Sequence, residues 1–142
     1  MLIVSCADAQ KVKEGDVPKA VITSLQNNFK NVKVGEWEKE NGNYEAEFDY
    51  NKVETSALFS ADGKLLETEQ EISKSALPKS ISDYISKNYA DYKVSEAAKI
   101  TDDKGTLTYE AEVSKGKEKM DLIFDAAGNF VKKTIESKED KD

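Results

Sequence analysis

The sequence predicts an α+β fold: a tandem repeat of an α-β-β-β-β unit, with one helix packed on an antiparallel four-stranded sheet in each copy. An internal repeat is the first observation behind this prediction. The only two prolines, Pro18 and Pro78, lie 60 residues apart, and each is followed by a lysine and a helical pattern. The second observation is that the apolar residues of each copy change from a helical spacing to the period of two that strands show.

The repeat extends over most of the chain. Three blocks match in register: Val17–Val21 with Leu77–Ile81, Tyr44–Phe48 with Tyr109–Val113, and Phe59–Gly63 with Phe124–Gly128. The offset is 60 residues for the first block and 65 for the other two. We attribute the change to about five residues inserted near positions 101–105, because loops tolerate insertions.

Each copy begins with an amphipathic helix. Proline is favoured at the first helical position, because its missing N–H has no partner there, so the first helix is predicted from about Pro18 to Lys30. Its apolar stripe consists of Val21, Leu25 and Phe29. So narrow a stripe predicts that the helix packs on a sheet.

Strand patterns follow each helix. Between Tyr44 and Tyr50, apolar residues alternate with acidic ones, which indicates a half-buried antiparallel strand. Asn41-Gly42 is a hairpin signal and Ala61–Lys64 is a turn. The further predicted strands are Val53–Phe59, Leu66–Ile72, Tyr109–Val113, Lys119–Phe124 and Phe130–Ile135.

These patterns predict four segments along the chain. Residues 1–16 form a signal remnant and a flexible tether, and residues 137–142 form a disordered tail without an apolar anchor. Residues 17–75 and 76–136 are the two repeats.

The composition excludes several classes of function. The chain has no histidine, which excludes Ser-His-Asp and Cys-His catalysis, and we expect that it is not an enzyme. Its net charge of −7 disfavours binding to nucleic acid and to anionic lipid. The turns at residues 62–64 and 125–128 lack the spaced ligands of calcium loops, so neither a metal nor a cofactor is predicted.

Cys6 is the only cysteine, and we interpret it as a lipid-attachment site. The preceding Ile3-Val4-Ser5 fits the end of a bacterial lipoprotein signal, and the polar residues after Cys6 fit a tether. A complete signal has a basic start and an apolar stretch of about 7–15 residues, so the match implies a longer precursor. The alternative is an incidental cysteine. We expect a location in the bacterial cell envelope (periplasm or outer-membrane lipoprotein) or secretion, with membrane contact only through Cys6.

Residues 17–136 resemble the PepSY-like family, which is also described as beta-lactamase-inhibitor-like. The resemblance rests on the two Pro-Lys helix starts, on the two Tyr-Glu-Ala-Glu strands, and on the hairpins Phe-Ser-Ala-Asp-Gly-Lys and Phe-Asp-Ala-Ala-Gly-Asn. It implies an envelope or secreted protein of paired helix-on-sheet units without a catalytic motif. It also implies a role in inhibition, because a similar fold binds beta-lactamase across its sheet, although no inhibitory residue carries over to this chain.

The outward positions of the predicted strands are acidic, and two interpretations of them stay open. These positions are Glu45, Glu47, Asp49, Glu67, Glu69, Glu71, Glu110 and Glu112. They form either a negative surface for a basic protein or for cations, or a solvated sheet face with lysines such as Lys39 and Lys115. Like charges placed directly across strands destabilise a sheet. A binding function would explain why the chain carries them, which is the argument for the first interpretation.

Trp37 is the sole tryptophan, and Ala97 stands at its place in the second copy. Strict alternation from Val34 points Trp37 outward, where an exposed aromatic side chain is a candidate for binding. A bulge would instead turn it into the core, and both interpretations stay open.

The predicted function is non-catalytic binding of a protein partner of unknown identity by a monomeric envelope protein, with inhibition of a secreted enzyme as one form of it. The candidate partner-binding residues are Trp37, Glu45, Glu47, Asp49, Glu110 and Glu112. One alternative is an envelope lipoprotein that binds a small ligand or a cation. The other is a structural envelope component with no discrete ligand.

Overall fold

The computed structural model describes residues 9–135, so Cys6, the signal remnant and the tail at 137–142 lie outside the described part. Short 3₁₀ turns, Glu14–Asp16 and Lys74–Ala76, precede the two helices of this part. The elements in chain order are β1 (Gln10–Val12), α1 (Lys19–Asn28), β2 (Val34–Glu40), β3 (Asn43–Tyr50), β4 (Val53–Phe59), β5 (Leu65–Ile72), α2 (Lys79–Asn88), β6 (Lys93–Asp102), β7 (Leu107–Lys115), β8 (Glu118–Asp125) and β9 (Phe130–Ile135). No helix among them is long and apolar enough to span a bilayer.

The strands belong to one nine-stranded sheet, in which they follow one another in chain order from β1 to β9. The predicted fold class, a tandem repeat of an α-β-β-β-β unit with a four-stranded sheet in each copy, is therefore wrong. Alternation of apolar and polar residues identifies a strand, but it does not say where a sheet ends. Any unpaired strand edge can accept a further strand, so the number of strands in a sheet is not encoded in the pattern.

The chain divides into two compact units. Of the described residues, the first contains 9–70 together with Thr101–Gly105. The second contains Glu71–Ile100 and residues 106–135.

Each helix begins directly after a proline. Pro18 and Pro78 have extended ψ angles of 142° and 146°, so they are the N-cap residues. The carbonyl oxygen of Pro18 accepts hydrogen bonds from the backbone N–H groups of Val21 and Ile22, at 3.0 and 3.1 Å. The sequence predicts each proline at the first helical position. In the structure each proline lies one residue before that position.

The core of the first unit lies between α1 and one face of its strands. The predicted stripe of Val21, Leu25 and Phe29 is buried, as the spacing indicated. These residues pack in one cluster with Ala46, Phe48, Ala57 and Phe59 of the strands. The rings of Phe29 and Phe48 are tilted, with centroids 5.0 Å apart.

The second unit has a core of the same kind. Ile81 and Ile85 of α2 pack with Ala111, Val113, Leu122 and Phe124 of β7 and β8. Phe124 also meets the ring of Tyr84 edge to face, at 5.4 Å between centroids.

The hairpins β4–β5 and β8–β9 turn at glycines with positive φ, Gly63 at 97° and Gly128 at 92°. A Cβ on Gly63 would lie 2.7 Å from the carbonyl oxygen of Ala20, and one on Gly128 would collide with the hydroxyl of Ser80. Each hairpin therefore rests on the first turn of the helix in its own unit.

Regular secondary structure begins closer to the N-terminus than the sequence predicts. Gln10–Val12 forms β1 and pairs with β2, with Lys11 opposite Glu38 and Val12 opposite Trp37. The predicted flexible tether, which extends to residue 16, does not hold for this stretch. A strand of three residues is too short to give a periodic pattern in the sequence.

Candidate functional site

The first unit has a sheet face that is dominated by carboxylates and points away from α1. These side chains alternate along their strands with buried core residues such as Ala46 and Ala57. We call this set the acidic face; it consists of Glu36, Glu38, Glu40, Glu45, Glu47, Asp49, Glu54, Glu67 and Glu69. Among the strand residues that the structure describes in this unit, Lys11 is the one basic side chain that shares the face.

Strand register places like charges directly opposite one another. Glu36 is opposite Glu47 and Glu38 is opposite Glu45 across β2 and β3. Across β3 and β4, Asp49 is opposite Glu54. Such pairs destabilise a sheet, by roughly the few tenths to 1 kcal/mol that a favourable pair contributes. The acidic face is therefore held together against electrostatic repulsion.

Lys11 offsets little of this repulsion. Its Nζ lies 3.9 Å from a carboxylate oxygen of Glu36, at the limit of an ion pair, and its side chain is 78% exposed. A pair so long and so well solvated contributes at most a few tenths of a kcal/mol.

The pKa of Glu38 shows the effect of this crowding. Burial, a hydrogen bond with Glu36 and the negative charges of Glu36, Glu47 and Glu40 together raise its pKa to about 7. Burial also raises the pKa of Glu47, with further contributions from Glu36 and Glu54. At neutral pH the face thus carries charge that it holds only at a cost in free energy.

Burial adds to that cost. Glu40 is only 9% exposed, and its buried Oε2 accepts no hydrogen bond from the described residues. Glu45 and Glu69 are 4% and 3% exposed. Burying the Glu40 carboxylate is costly where its Oε2 accepts no hydrogen bond, so a cationic group beside Glu40 would lower that cost.

The predicted carboxylates of the second unit have different surroundings. Glu110 and Glu112 are buried, and Ser95 Oγ donates a hydrogen bond of 2.7 Å to Glu112 Oε1. Lysine and apolar side chains interrupt this face: Ile123 lies opposite Glu110, and Lys132 lies opposite Ile123. It is a mixed face and not an acidic one.

The structure brings the predicted residues Glu45, Glu47 and Asp49 together on β3, with Asp49 exposed, Glu47 half-buried and Glu45 buried. The expectation that all the outward carboxylates lie at the surface does not hold. Glu36, Glu38 and Glu40 of β2 were not among the predicted residues. Their alternation with Trp37 and Lys39 was the signal that could have identified them.

Trp37 belongs to the core. It is 4% exposed, and a register shift between Val34 and Glu36 lets both Val34 and Trp37 pack on the core side. Its Nε1 donates a hydrogen bond of 3.3 Å to Glu14 Oε1. Of the two interpretations of Trp37, the one with a bulge that turns the ring into the core is correct. The ring is not exposed at the surface.

A shallow cavity of about 370 Å³ lies beside Trp37. Lys11, Val12, Glu14 and Gly35 contribute to its lining. It offers the amine of Lys11 and the carboxylates of Glu14 and Glu36 next to an aromatic ring.

The Asp-Gly turns serve the hairpins. Ser60 Oγ donates to the carboxylate of Asp62, which lowers the pKa of Asp62. The backbone N–H of Asn129 donates to Asp125 Oδ1 at 2.8 Å and lowers the pKa of Asp125 in the same way. Between residues 9 and 135, no group of three or more Asp, Glu, Cys or His side chains has an arrangement that could hold a metal ion.

Comparison with known proteins supplies a family and a fold. The family model described as "Putative beta-lactamase-inhibitor-like, PepSY-like" matches residues 4–67 and 42–132. No curated protein matches the chain in sequence.

Three crystal structures of Bacteroides proteins share the fold. One of the "putative periplasmic proteins" of Bacteroides eggerthii superposes with a TM-score of 0.75 at 15% identity, covering 84% of this chain and 88% of that chain. A DUF2874 family protein of Bacteroides ovatus gives 0.72 at 20% identity, over 85% and 89% of the two chains. A BLIP-like protein of Bacteroides fragilis gives 0.68 at 21% identity, over 88% and 92%. At these identities the likeness shows the fold alone.

Proposed function

Since the chain belongs to the beta-lactamase-inhibitor-like, PepSY-like family, we propose that it is a non-catalytic binding protein of the bacterial envelope whose acidic face binds a basic surface of a partner protein. The fold supports the location, because similar structures are described as periplasmic. The observation that carries the proposal is the set of carboxylates that oppose one another across β2, β3 and β4 with a single weakly paired lysine.

The energetics of the face favour a cationic partner. Glu38 and Glu47 have raised pKa values because they are partly buried among other carboxylates. A lysine or arginine side chain that docks there removes repulsion which the free protein bears, and it gains charge-assisted hydrogen bonds. A neutral or acidic surface gains nothing from the same contact, so the face selects by charge.

A direct titration tests the charge selection. Isothermal calorimetry with a decalysine peptide should give a measurable Kd at low salt that weakens as ionic strength rises, because salt screens charges over about 10 Å at 0.1 M. The double variant Glu38→Gln/Glu40→Gln should weaken binding at least fivefold. The matched control Asp83→Asn/Asp91→Asn likewise replaces two carboxylates, here on exposed side chains of the second unit, and should leave the Kd within twofold. Equal weakening by both variants would show that only net charge matters and would contradict the proposal.

The partner itself requires a second experiment. The wild-type chain and the double variant serve as baits for envelope and culture-supernatant proteins, which are identified by mass spectrometry. A basic protein that the wild type retains and the variant loses is the expected result. If that protein is an enzyme, its activity with and without the chain tests the more specific proposal of inhibition.

A small ligand is the second candidate, and the cavity beside Trp37 favours it. Ligand pockets commonly have volumes of about 300–1,000 Å³, so this cavity lies near the lower end. Its neighbouring Lys11 and Glu14 would suit a small zwitterion. Titration of Trp37 fluorescence with free amino acids and dipeptides tests this alternative, and an unchanged emission spectrum throughout would exclude these ligands.

The lipid anchor stays part of the proposal. The residues before Cys6 fit a lipoprotein signal, although Cys6 lies outside the described part of the chain. A precursor with a complete signal should incorporate radiolabelled fatty acid, and its Cys6→Ser variant should not. Equal labelling of the two would contradict lipidation at Cys6.

A further inference from the structure

The last strand, β9, carries the large exposed apolar side chains of the described part of the chain. Among residues 9–135, the large hydrophobic side chains that stand exposed are Phe130, Val131 and Ile135, with exposed fractions of 37%, 55% and 68%. All three lie on β9, which has only six residues. Exposed apolar residues that cluster on one element, and are not scattered singly, mark an interaction surface.

The strand is also open along one edge. β9 pairs with β8 and is the last strand in the order of the sheet, so residues 9–135 supply no strand for its other side. Its outward N–H and C=O groups form a ready template for an added strand. In β-augmentation such backbone hydrogen bonds give affinity, and the alternate side chains give specificity.

The charge of β9 is opposite to that of the chain. Lys132 and Lys133 are its only charged residues, within a protein of net charge −7. They lie at the centre of the strand and, as neighbours, point to opposite faces of the sheet. An added strand with acidic residues at its centre would therefore meet a lysine on each face.

A second copy of the chain fits this edge poorly. In a symmetric antiparallel pair of β9 strands centred on Lys132 or on Lys133, that lysine would lie opposite the same lysine of the other copy, because directly opposite residues share a face of the sheet. Like charges directly opposite are destabilising, and a shift of register that separates them leaves fewer residues paired in so short a strand.

We propose that β9 binds an extended segment of another protein by strand addition, and that this segment carries acidic residues at its centre flanked by apolar ones. The ligand continues the sheet beyond β9. Its carboxylates pair with Lys132 and Lys133, and its apolar side chains cover Val131 and Ile135. This inference goes beyond the proposed function, since it uses none of the carboxylates of the acidic face and requires a partner of opposite charge.

Fluorescence anisotropy with the full chain tests the proposal. The probe is a labelled hexapeptide, Thr-Val-Glu-Glu-Val-Thr, which should bind with saturation. The peptide Thr-Val-Lys-Lys-Val-Thr should bind at least tenfold more weakly. A version of the acidic peptide with alternate backbone nitrogens methylated along its pairing edge should also lose at least tenfold, because it keeps the side chains and cannot form the ladder.

Variants assign the site. Lys132→Glu/Lys133→Glu should weaken the acidic peptide at least tenfold and strengthen the lysine peptide. The control Lys115→Glu/Lys117→Glu makes the same charge change near the β7–β8 turn and should shift the Kd by less than threefold. The decalysine titration of the acidic face should change no more with the β9 variant than with this control, so the two proposals can fail separately.

Amide hydrogen exchange supplies the structural readout. Bound acidic peptide should slow exchange in Phe130–Ile135 and leave the Asn43–Tyr50 amides of β3 unchanged. The proposal is overturned if the methylated peptide binds as well as its parent, or if no peptide binds up to 1 mM. It is also overturned if the chain self-associates and Lys132→Glu/Lys133→Glu strengthens that association, because β9 then pairs with a copy of itself.

Discussion

The two units differ most on the sheet face that points away from their helices. In the first unit β2 presents Glu38 and Glu40 on this face, and at the offset of 60 residues β6 presents Ala98 and Ile100. Ala98 and Ile100 are 1% and 5% exposed. The same strand position is therefore filled with charge in one unit and with apolar side chains in the other.

The difference continues across the strands. Glu54 and Glu67 of the first unit stand where the second unit has Lys119 and Lys132, at the offset of 65 residues. The helix-facing cores, in contrast, are both apolar, with Phe59 and Phe124 fully buried at matching positions. The cores are alike because each must bury a helix, whereas the far faces can differ because packing of the helix does not constrain them.

The largest expected change in the free energy of unfolding comes from exchanging residue types between the matching positions 40 and 100. Ile100→Glu should lower the free energy of unfolding by about 3–5 kcal/mol, because it removes a buried apolar side chain and introduces a buried carboxylate. The reverse change, Glu40→Ile, should raise it by about 1 kcal/mol, since it removes a buried carboxylate from among like charges. Urea denaturation measures both. Similar losses in the two variants would mean that the two faces are equally demanding.

Alanine substitution of the two hairpin glycines, Gly63 and Gly128, should reduce stability by different amounts. Gly63→Ala should cost about 3 kcal/mol, because it adds strain at positive φ and places a Cβ against the backbone carbonyl of Ala20, which cannot move without the helix. Gly128→Ala should cost about 1–2 kcal/mol, because the obstructing Ser80 hydroxyl can rotate.

Gly105→Ala serves as the control for the hairpins, since it has φ of 82° and open space around its added Cβ. Its cost should be about 1 kcal/mol, from backbone strain alone. Thermal unfolding of the three variants ranks them, and an equal loss for Gly63→Ala and Gly105→Ala would remove the helix contact from the explanation.

The change of stability with pH should be smaller than the effects of these substitutions, and it should arise in the first unit. The pKa of Glu38 is about 7 in the folded chain against 4.5 as the reference value, so the folded state holds the proton more tightly than the unfolded state. The stabilisation is complete below about pH 4.5 and is lost as the pH rises through 7. Because the side chain is only partly buried, solvent screening reduces the effect to about 1 kcal/mol.

Glu38→Gln should remove that decline, and urea denaturation between pH 4.5 and pH 8 measures it. The groups that face Glu38 are Lys11 of β1, Glu36 and Glu40 of its own strand, and Glu45 and Glu47 of β3. The control Glu118→Gln lies in the second unit, where the amide oxygen can still accept the hydrogen bond from Tyr92. A decline that persists undiminished in Glu38→Gln would assign the pH dependence to another group, such as Glu47, whose pKa burial also raises.

The sequence predicts the parts of this protein that depend on local pattern. The helix starts after Pro18 and Pro78 and the turns at Gly63 and Gly128 all lie within two residues of their predicted positions. These features follow from backbone preferences of single residues, which the sequence states directly.

Features that depend on neighbours in space were missed or left open. The sequence left open whether Trp37 points outward or a bulge turns it inward, because that bulge is set by pairing with β3, and β1 was missed because it forms on an edge that β2 offers. Burial of Glu45 and Glu110 likewise depends on what surrounds them, because alternation assigns a side chain to a face and does not say whether that face meets water. The acidic face could thus be located from the sequence in part, but its raised pKa values could not.

The order of the strands has a consequence for how the protein folds. Strands that are neighbours in the sheet are also neighbours along the chain, from β1 to β9. Forming the sheet therefore closes mainly short loops, and the entropy lost in closing a loop grows with its length. Chains dominated by such local contacts fold faster than sheets that pair distant segments. A chain emerging N-terminus first can pair each strand with one already in place, which shortens the time that an unpaired edge is open to other chains.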